Sequence, residues 1–144
     1  MISRICRDVP AAKAADVIYG FTLANDVTAR DLQAGDGQFT RAKGFDTFCP
    51  LGPWVETELA LDTVKDGIAI QTYLDGELVQ DGSTKDLIFD IPTLIEAVTS
   101  VMTLLPGDVI LTGTPAGVGP MQIGQEVEVT SPVLGALTNM VVKR

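Results

Sequence analysis

Residues 68–79 constrain the fold more than any other stretch of the chain. Ile68, Ile70, Thr72 and Leu74 fall on one face of a strand and Ala69, Gln71 and Tyr73 on the other, and the alternation runs into Asp75-Gly76 followed by Glu77, Leu78 and Val79. A type I′ hairpin turn needs positive φ at both central residues, and Asp-Gly is a pair that accepts it. The second strong signal lies downstream. From Ile91 to Leu105 the apolar residues Leu94, Ile95, Val98, Met102 and Leu105 keep helical spacing, with Asp90 and Pro92 as start signals and Pro106-Gly107 as the stop. A poorer helix is expected from Val9 to Val17, with Asp8 as its N-cap and Pro10 in its first turn. Short strands are expected over Ile18–Leu23, Asp108–Thr112, Gln125–Thr130 and Leu137–Val142, separated by Gly and Pro turns. Residues 25–38 and 41–53 have neither a period of 2 nor one of 3.6 and read as polar or punctuated loops. With 144 residues there is room for one domain. That domain is mainly β (α+β), with one or two short helices and no internal repeat.

Charge and residue usage narrow the chemistry. Ten Lys and Arg against nineteen Asp and Glu give a formal charge of −9, which repels a phosphate backbone or an anionic membrane, so nucleic acid and membrane are not expected partners. The chain contains no histidine, so a Ser-His-Asp triad, a Cys-His pair or a His-based zinc site cannot be built from its residues alone. Chemistry must rest on carboxylates, Lys, hydroxyls and backbone, and the natural metals are hard cations. Cys6 and Cys49 lie far apart without a CxxC pattern and suit a reducing cytosol. No apolar run approaches membrane-spanning length, and the expected location is cytoplasmic.

Three segments could carry chemistry. Gly113-Thr-Pro-Ala-Gly-Val-Gly119 follows an apolar strand without matching GxGxxG or a phosphate loop; its glycines and the Thr114 hydroxyl could hold an anion or carbonyl oxygen, or form a structural turn. In Asn25-Asp26-Val-Thr28-Ala-Arg30-Asp31-Leu-Gln33, a carboxylate at the mouth of a sheet could bind a hard cation, or Arg30 could hold Asp26 or Asp31 in an ion pair. Lys43 lies in a Gly-containing loop beside aromatic residues, where it could polarise a carbonyl or simply be solvated.

These segments occur together and in order. GFTLANDVTARDLQ, RAKGFDTFCPLGPW, DGELVQDGSTKDLIFDIPTLI and LLPGDVILTGTPAGVGP closely resemble the C-terminal domain of the fumarylacetoacetate hydrolase family, from about Cys6 to Val142. The motifs are most similar to its bacterial 2-hydroxyhepta-2,4-diene-1,7-dioate isomerases and acylpyruvate hydrolases. The resemblance implies strands rolled into a distorted barrel, usually in a homodimer, with a divalent metal, Mg2+ or Mn2+ or Ca2+, at one mouth. It implies Asp26 and Thr47 as metal ligands, Lys43 as the active-site lysine, and Gln33, Thr114 and Gly117 as substrate contacts. The implied activity is hydrolysis, decarboxylation or isomerisation of small 2-oxo or 1,3-dicarbonyl acids through a metal-bound enolate.

The family's Glu-x-Glu metal ligands and its catalytic His would lie upstream of Ile5-Cys6-Arg7-Asp8. Residues 1–144 are therefore expected to be an N-terminally truncated domain holding part of the site, and the alternative is an inert binding or assembly module. Unpaired strand edges are expected to drive self-association.

Overall fold

The computed structural model describes residues 1–143 and shows two antiparallel sheets with several short helices. A two-stranded sheet pairs β1 (Phe21–Ala24) with β2 (Leu51–Glu56), and a four-stranded sheet has the order β4-β3-β5-β6, made by β3 (Ala69–Leu74), β4 (Glu77–Ser83), β5 (Glu126–Ser131) and β6 (Gly135–Met140). Among the described residues these sheets do not close into a barrel. Four α-helices complete the fold: α1 (Arg30–Asp36), α2 (Thr40–Lys43), α3 (Leu61–Gly67) and α4 (Ile91–Val101). Three of them exceed the expected number because each is a turn or two long and too short to carry a periodic apolar stripe.

The β3–β4 hairpin forms where the alternation placed it. Asp75 and Gly76 have φ of 50° and 81°, as the tight turn demands. The Asp75 carboxylate also accepts hydrogen bonds from the Glu126 N–H at 2.8 Å and from Gln125 Nε2 at 2.9 Å, so the turn is tied to the start of β5. Those two bonds, the backbone one first, hold its carboxyl below the usual carboxylate range. Register across the hairpin slips once: Thr72 faces Gln80 and Tyr73 faces Leu78, which leaves Val79 as the extra residue of a β-bulge.

Helix α4 starts as expected, with Asp90 accepting from the Thr93 N–H at 3.0 Å and Pro92 in the first turn. It ends at Val101, four residues before Leu105, and Leu104 instead pairs with Cys6 in an extended bridge. Asp8 does not cap the first helix. It has φ of 52°, its N–H goes to the Thr99 carbonyl, and residues Ala11–Val17 form a 3-10 helix behind Pro10. Glu96 reaches across from α4 to accept the Ala11 N–H at 3.0 Å, supplying the cap from a distant element. Buried Thr99 accepts the Val9 N–H at 3.0 Å and donates to the Ile95 carbonyl at 2.8 Å, stitching the two helices together.

The strand expected at 108–112 does not form: residues 109–112 join neither sheet, and the bonds with the N-terminal segment involve Ile2, Gly107 and Asp108. Two apolar clusters hold the fold. One gathers Val9, Ala14, Val17, Val64, Ile68, Ile91 and Ile95; the other gathers Leu23, Val129, Leu134 and Leu137, and Phe21 and Leu59 pack against both. Full burial of such aliphatic side chains contributes about 1.5–3 kcal/mol each. At the seam between β2 and β6 the indole of half-exposed Trp54 lies against Gly135, where a Cβ would come within 2.5 Å of the ring. Among the described residues, no helix is long and apolar enough to cross a membrane.

Candidate active site

A cavity of about 1060 Å3 is lined by parts of two segments, residues 25–48 and 109–121, which form two of its walls, and by residues of β3, β5 and other elements. Ile70, Leu74, Val127 and Val129 give it apolar lining, and Asp26, Lys43, Thr72, Gln80 and Thr114 give it polar groups. This arrangement suits a small ligand with a charged head, since a few placed polar groups on an apolar surface orient it.

On the first wall, β1 delivers the chain to Asn25, whose N–H is held by the Pro50 carbonyl at 3.1 Å. Asp26 follows, and the Thr28 hydroxyl donates back to the Asp26 carbonyl at 2.9 Å, closing a local turn. Lys43, the last residue of α2, reaches back across the wall, and its Nζ donates to Asp26 Oδ2. The two side chains are 30% and 42% exposed for Lys43 and Asp26, so the pair is partly withdrawn from water. Asp26 therefore pairs with Lys43, while the Arg30 guanidinium donates to Gln33 Oε1 at 2.9 Å. Arg30 and Gln33 sit three residues apart on α1, a spacing that puts them on one helical face, and both line the cavity.

On the second wall, Thr114 and Gly117 also line the cavity. Gly117 has φ of 103°, and a Cβ there would fall 1.9 Å from the Val79 carbonyl oxygen of β4. Glycine at this position is thus required by both backbone conformation and close approach. The structure brings Asp26, Lys43, Gln33, Thr114 and Gly117 around one cavity. Thr47 is not among the lining residues; it is exposed at φ 71°, in a loop that brings Phe48 to the cavity and sets the Phe45 and Phe48 rings 5.4 Å apart. A β-branched residue in the left-handed region costs on the order of 1–3 kcal/mol, held here by the surrounding loop.

Two lining residues carried no signal of a site role in the sequence. Arg30 was legible only as an ion-pair partner, because the helix that pairs it with Gln33 has no apolar period. Gln80 lies 34 residues from Thr114, and its Nε2 donates to Thr114 Oγ1 and to the Pro115 carbonyl, both at 2.9 Å.

A hard divalent cation needs several oxygen ligands. Asp26 supplies one carboxylate, already engaged by Lys43, and among the described residues no three Cys, Asp or Glu side chains gather as a ligand set. This chain's own donors therefore do not make a complete cation site.

Residues 1–142 match the family model described as fumarylacetoacetate (FAA) hydrolase C-terminal. A solved structure of 5-carboxymethyl-2-hydroxymuconate delta-isomerase from Mycobacterium smegmatis superposes with a TM-score of 0.94 at 52% identity, covering 99% of this chain and 55% of that one. One of 2-hydroxyhepta-2,4-diene-1,7-dioate isomerase from Mycobacterium marinum gives 0.94 at 50% identity, again covering 99% and 55%. The mitochondrial oxaloacetate tautomerase of Arabidopsis thaliana is 46% identical over 131 residues, 88% of this chain and 58% of the relative. The chain spans about half the length of the curated relatives it matches.

Proposed function

The chain belongs to the fumarylacetoacetate hydrolase family, whose C-terminal domain it matches, and on that premise we propose that it binds a small 2-oxo or 1,3-dicarbonyl acid and stabilises its enolate, as in isomerisation of 2-hydroxyhepta-2,4-diene-1,7-dioate. The observation that carries this reading is the Lys43–Asp26 pair lining the same cavity as Thr114. Removing a proton next to a carbonyl throws negative charge onto the carbonyl oxygen. A partly desolvated ammonium beside that oxygen stabilises the charge more than water does. Lys43 is that group, and Asp26 keeps it oriented. Gln33, Arg30 and Thr114 offer hydrogen-bond donors for the acid's carboxylate, and the Gly117 backbone lets the ligand approach closely.

Isomerisation is favoured within the family's range because it only relocates a proton. The Asp26 carboxylate can take that proton from one carbon and return it to another while Lys43 holds the charge on oxygen, whereas water activation near neutral pH is best served by histidine, which this chain lacks. The family is associated with Mg2+, Mn2+ or Ca2+, and Asp26 is the side chain here suited to contribute to such a site. The incomplete donor set favours a second reading, in which residues 1–144, taken as one domain, act as a binding or assembly module without catalysis. Exposed Ile5, Ile88, Phe89 and Val101 support assembly into a homodimer, and free Cys6 and Cys49 suit a cytoplasmic setting.

The test follows the loss of oxaloacetate enol absorbance with and without magnesium. The enzyme reading expects acceleration by the parent chain and its loss in Lys43→Met. A background rate in both conditions, with oxaloacetate and with 2-hydroxyhepta-2,4-diene-1,7-dioate alike, overturns it in favour of the module.

A further inference from the structure

We propose that Gln80 is a positioning residue for the anionic ligand: it pins the 113–119 loop to β4 and commits the Thr114 hydroxyl to donate its proton into the cavity. The inference rests on the oxo-acid reading of the site and adds a residue to it.

The chemistry of the contact fixes its direction. Gln80 faces two oxygens at 2.9 Å, Thr114 Oγ1 and the Pro115 carbonyl. A carbonyl oxygen can only accept, so the atom between them must be the amide NH2 group. Thr114 is then an acceptor in this bond, and a hydroxyl carries one proton besides its two lone pairs. That proton is left for another oxygen, and Thr114 lines the cavity where the ligand's carboxylate would sit.

Two further features hold the geometry. The bulge at Val79 lies immediately before Gln80 and resets the register there, a device that re-aims a side chain beside a site. The loop also meets β4 without room to spare: a Cβ on Gly117 would strike the Val79 carbonyl oxygen at 1.9 Å, and one on Gly82 would come within 2.7 Å of Pro115 Cβ. Gln80 thus works between two close contacts, Gly117 on the Val79 backbone and Gly82 on the Pro115 ring, that fix where the loop meets the strand.

The experiment is calorimetric titration of oxalate, a planar dianion resembling a 2-oxo enolate, into the parent chain, Gln80→Met, Thr114→Val and the double variant. Loss of one hydrogen bond to a charged group predicts binding weaker by about tenfold in each single variant. Because Gln80 acts through Thr114, the double variant should be no more than about twofold weaker than Thr114→Val. Gln80→Asn keeps a neutral amide but is one methylene too short to bridge both oxygens, so it too should bind weakly, with no added charge to repel the dianion. It decides the matter where Gln80→Met is poorly folded. In oxaloacetate tautomerisation Gln80→Asn should raise KM about tenfold with kcat within about threefold. Parental oxalate affinity in the Gln80 variants, or losses that add in the double variant, would overturn the role of Gln80 and leave the oxo-acid reading standing. Failure of the parent chain to bind oxalate would overturn both.

Discussion

The two walls of the cavity are held by different physics. The wall at residues 25–48 depends on charge: Lys43 on Asp26, and Arg41 on Asp36, where Nε donates to Oδ2 at 2.7 Å and a second bond runs from Nη2 to Oδ1. Its helix α1 buries no residue, and α2 buries only Ala42. The wall at 109–121 depends on neutral contacts, a glutamine amide, Gly117 against the Val79 backbone and the Pro115 ring against Gly82. Charged groups on a weakly packed wall can answer a change of charge on a ligand. Neutral hydrogen bonds do not change with a ligand's charge as ion pairs do, although residues 109–121 are no more buried than α1.

The contrast can be broken most strongly at Lys43. Lys43→Met should lower oxaloacetate tautomerisation on the order of a hundredfold or more, while urea unfolding shifts by no more than about 1 kcal/mol because the pair is partly exposed. A comparable loss of stability would show that the charged wall is structural after all. Gly117→Ala should do the reverse, costing about 3 kcal/mol in urea unfolding through its left-handed backbone and the Val79 contact. Gly82→Ala meets the Pro115 ring at Cβ rather than backbone and should cost about 1–3 kcal/mol in the same measurement.

Acid separates the walls with the smallest effect. The hydrogen bond from Arg41, aided by its charge, holds the Asp36 carboxyl below its ordinary value against the opposing effect of desolvation. A depressed folded pKa contributes stability in full above the unfolded Asp value of about 3.9 and loses it as pH falls through the lower folded value. Amide NMR shifts of 30–43 should therefore move on acidification below about pH 4 before those of 113–119. Simultaneous movement of both segments would erase the distinction.

What was legible in the sequence followed the range of the forces involved. The Asp75-Gly76 turn and the start of α4 are decided by neighbours a few residues apart, and both lie where local chemistry put them. Strand β2 was hidden by Gly52 and Pro53, and α1 by the lack of any buried residue. Asp8 could not be recognised as a non-cap because the first N–H of its helix is taken by Glu96, 85 residues away. The strand expected over 108–112 failed because alternation and apolarity do not reveal whether a partner edge is present. At the site, the residue types at Asp26, Lys43 and Thr114 were informative, but nothing local joins Asp26 to a lysine 17 residues on. Only the order of the motifs, and the family resemblance they carry, placed these residues together. Gln80 escaped even that, since its partners become neighbours only when the loop folds back over β4.

Trp54 is the chain's single tryptophan, and its indole rests on the Gly135 backbone where β2 meets β6. Its fluorescence is therefore a built-in optical gauge of that one seam. Far-UV dichroism reports on every strand and helix at once, whereas the emission of Trp54 reports on whether the small sheet stays docked against the large one, with no label attached.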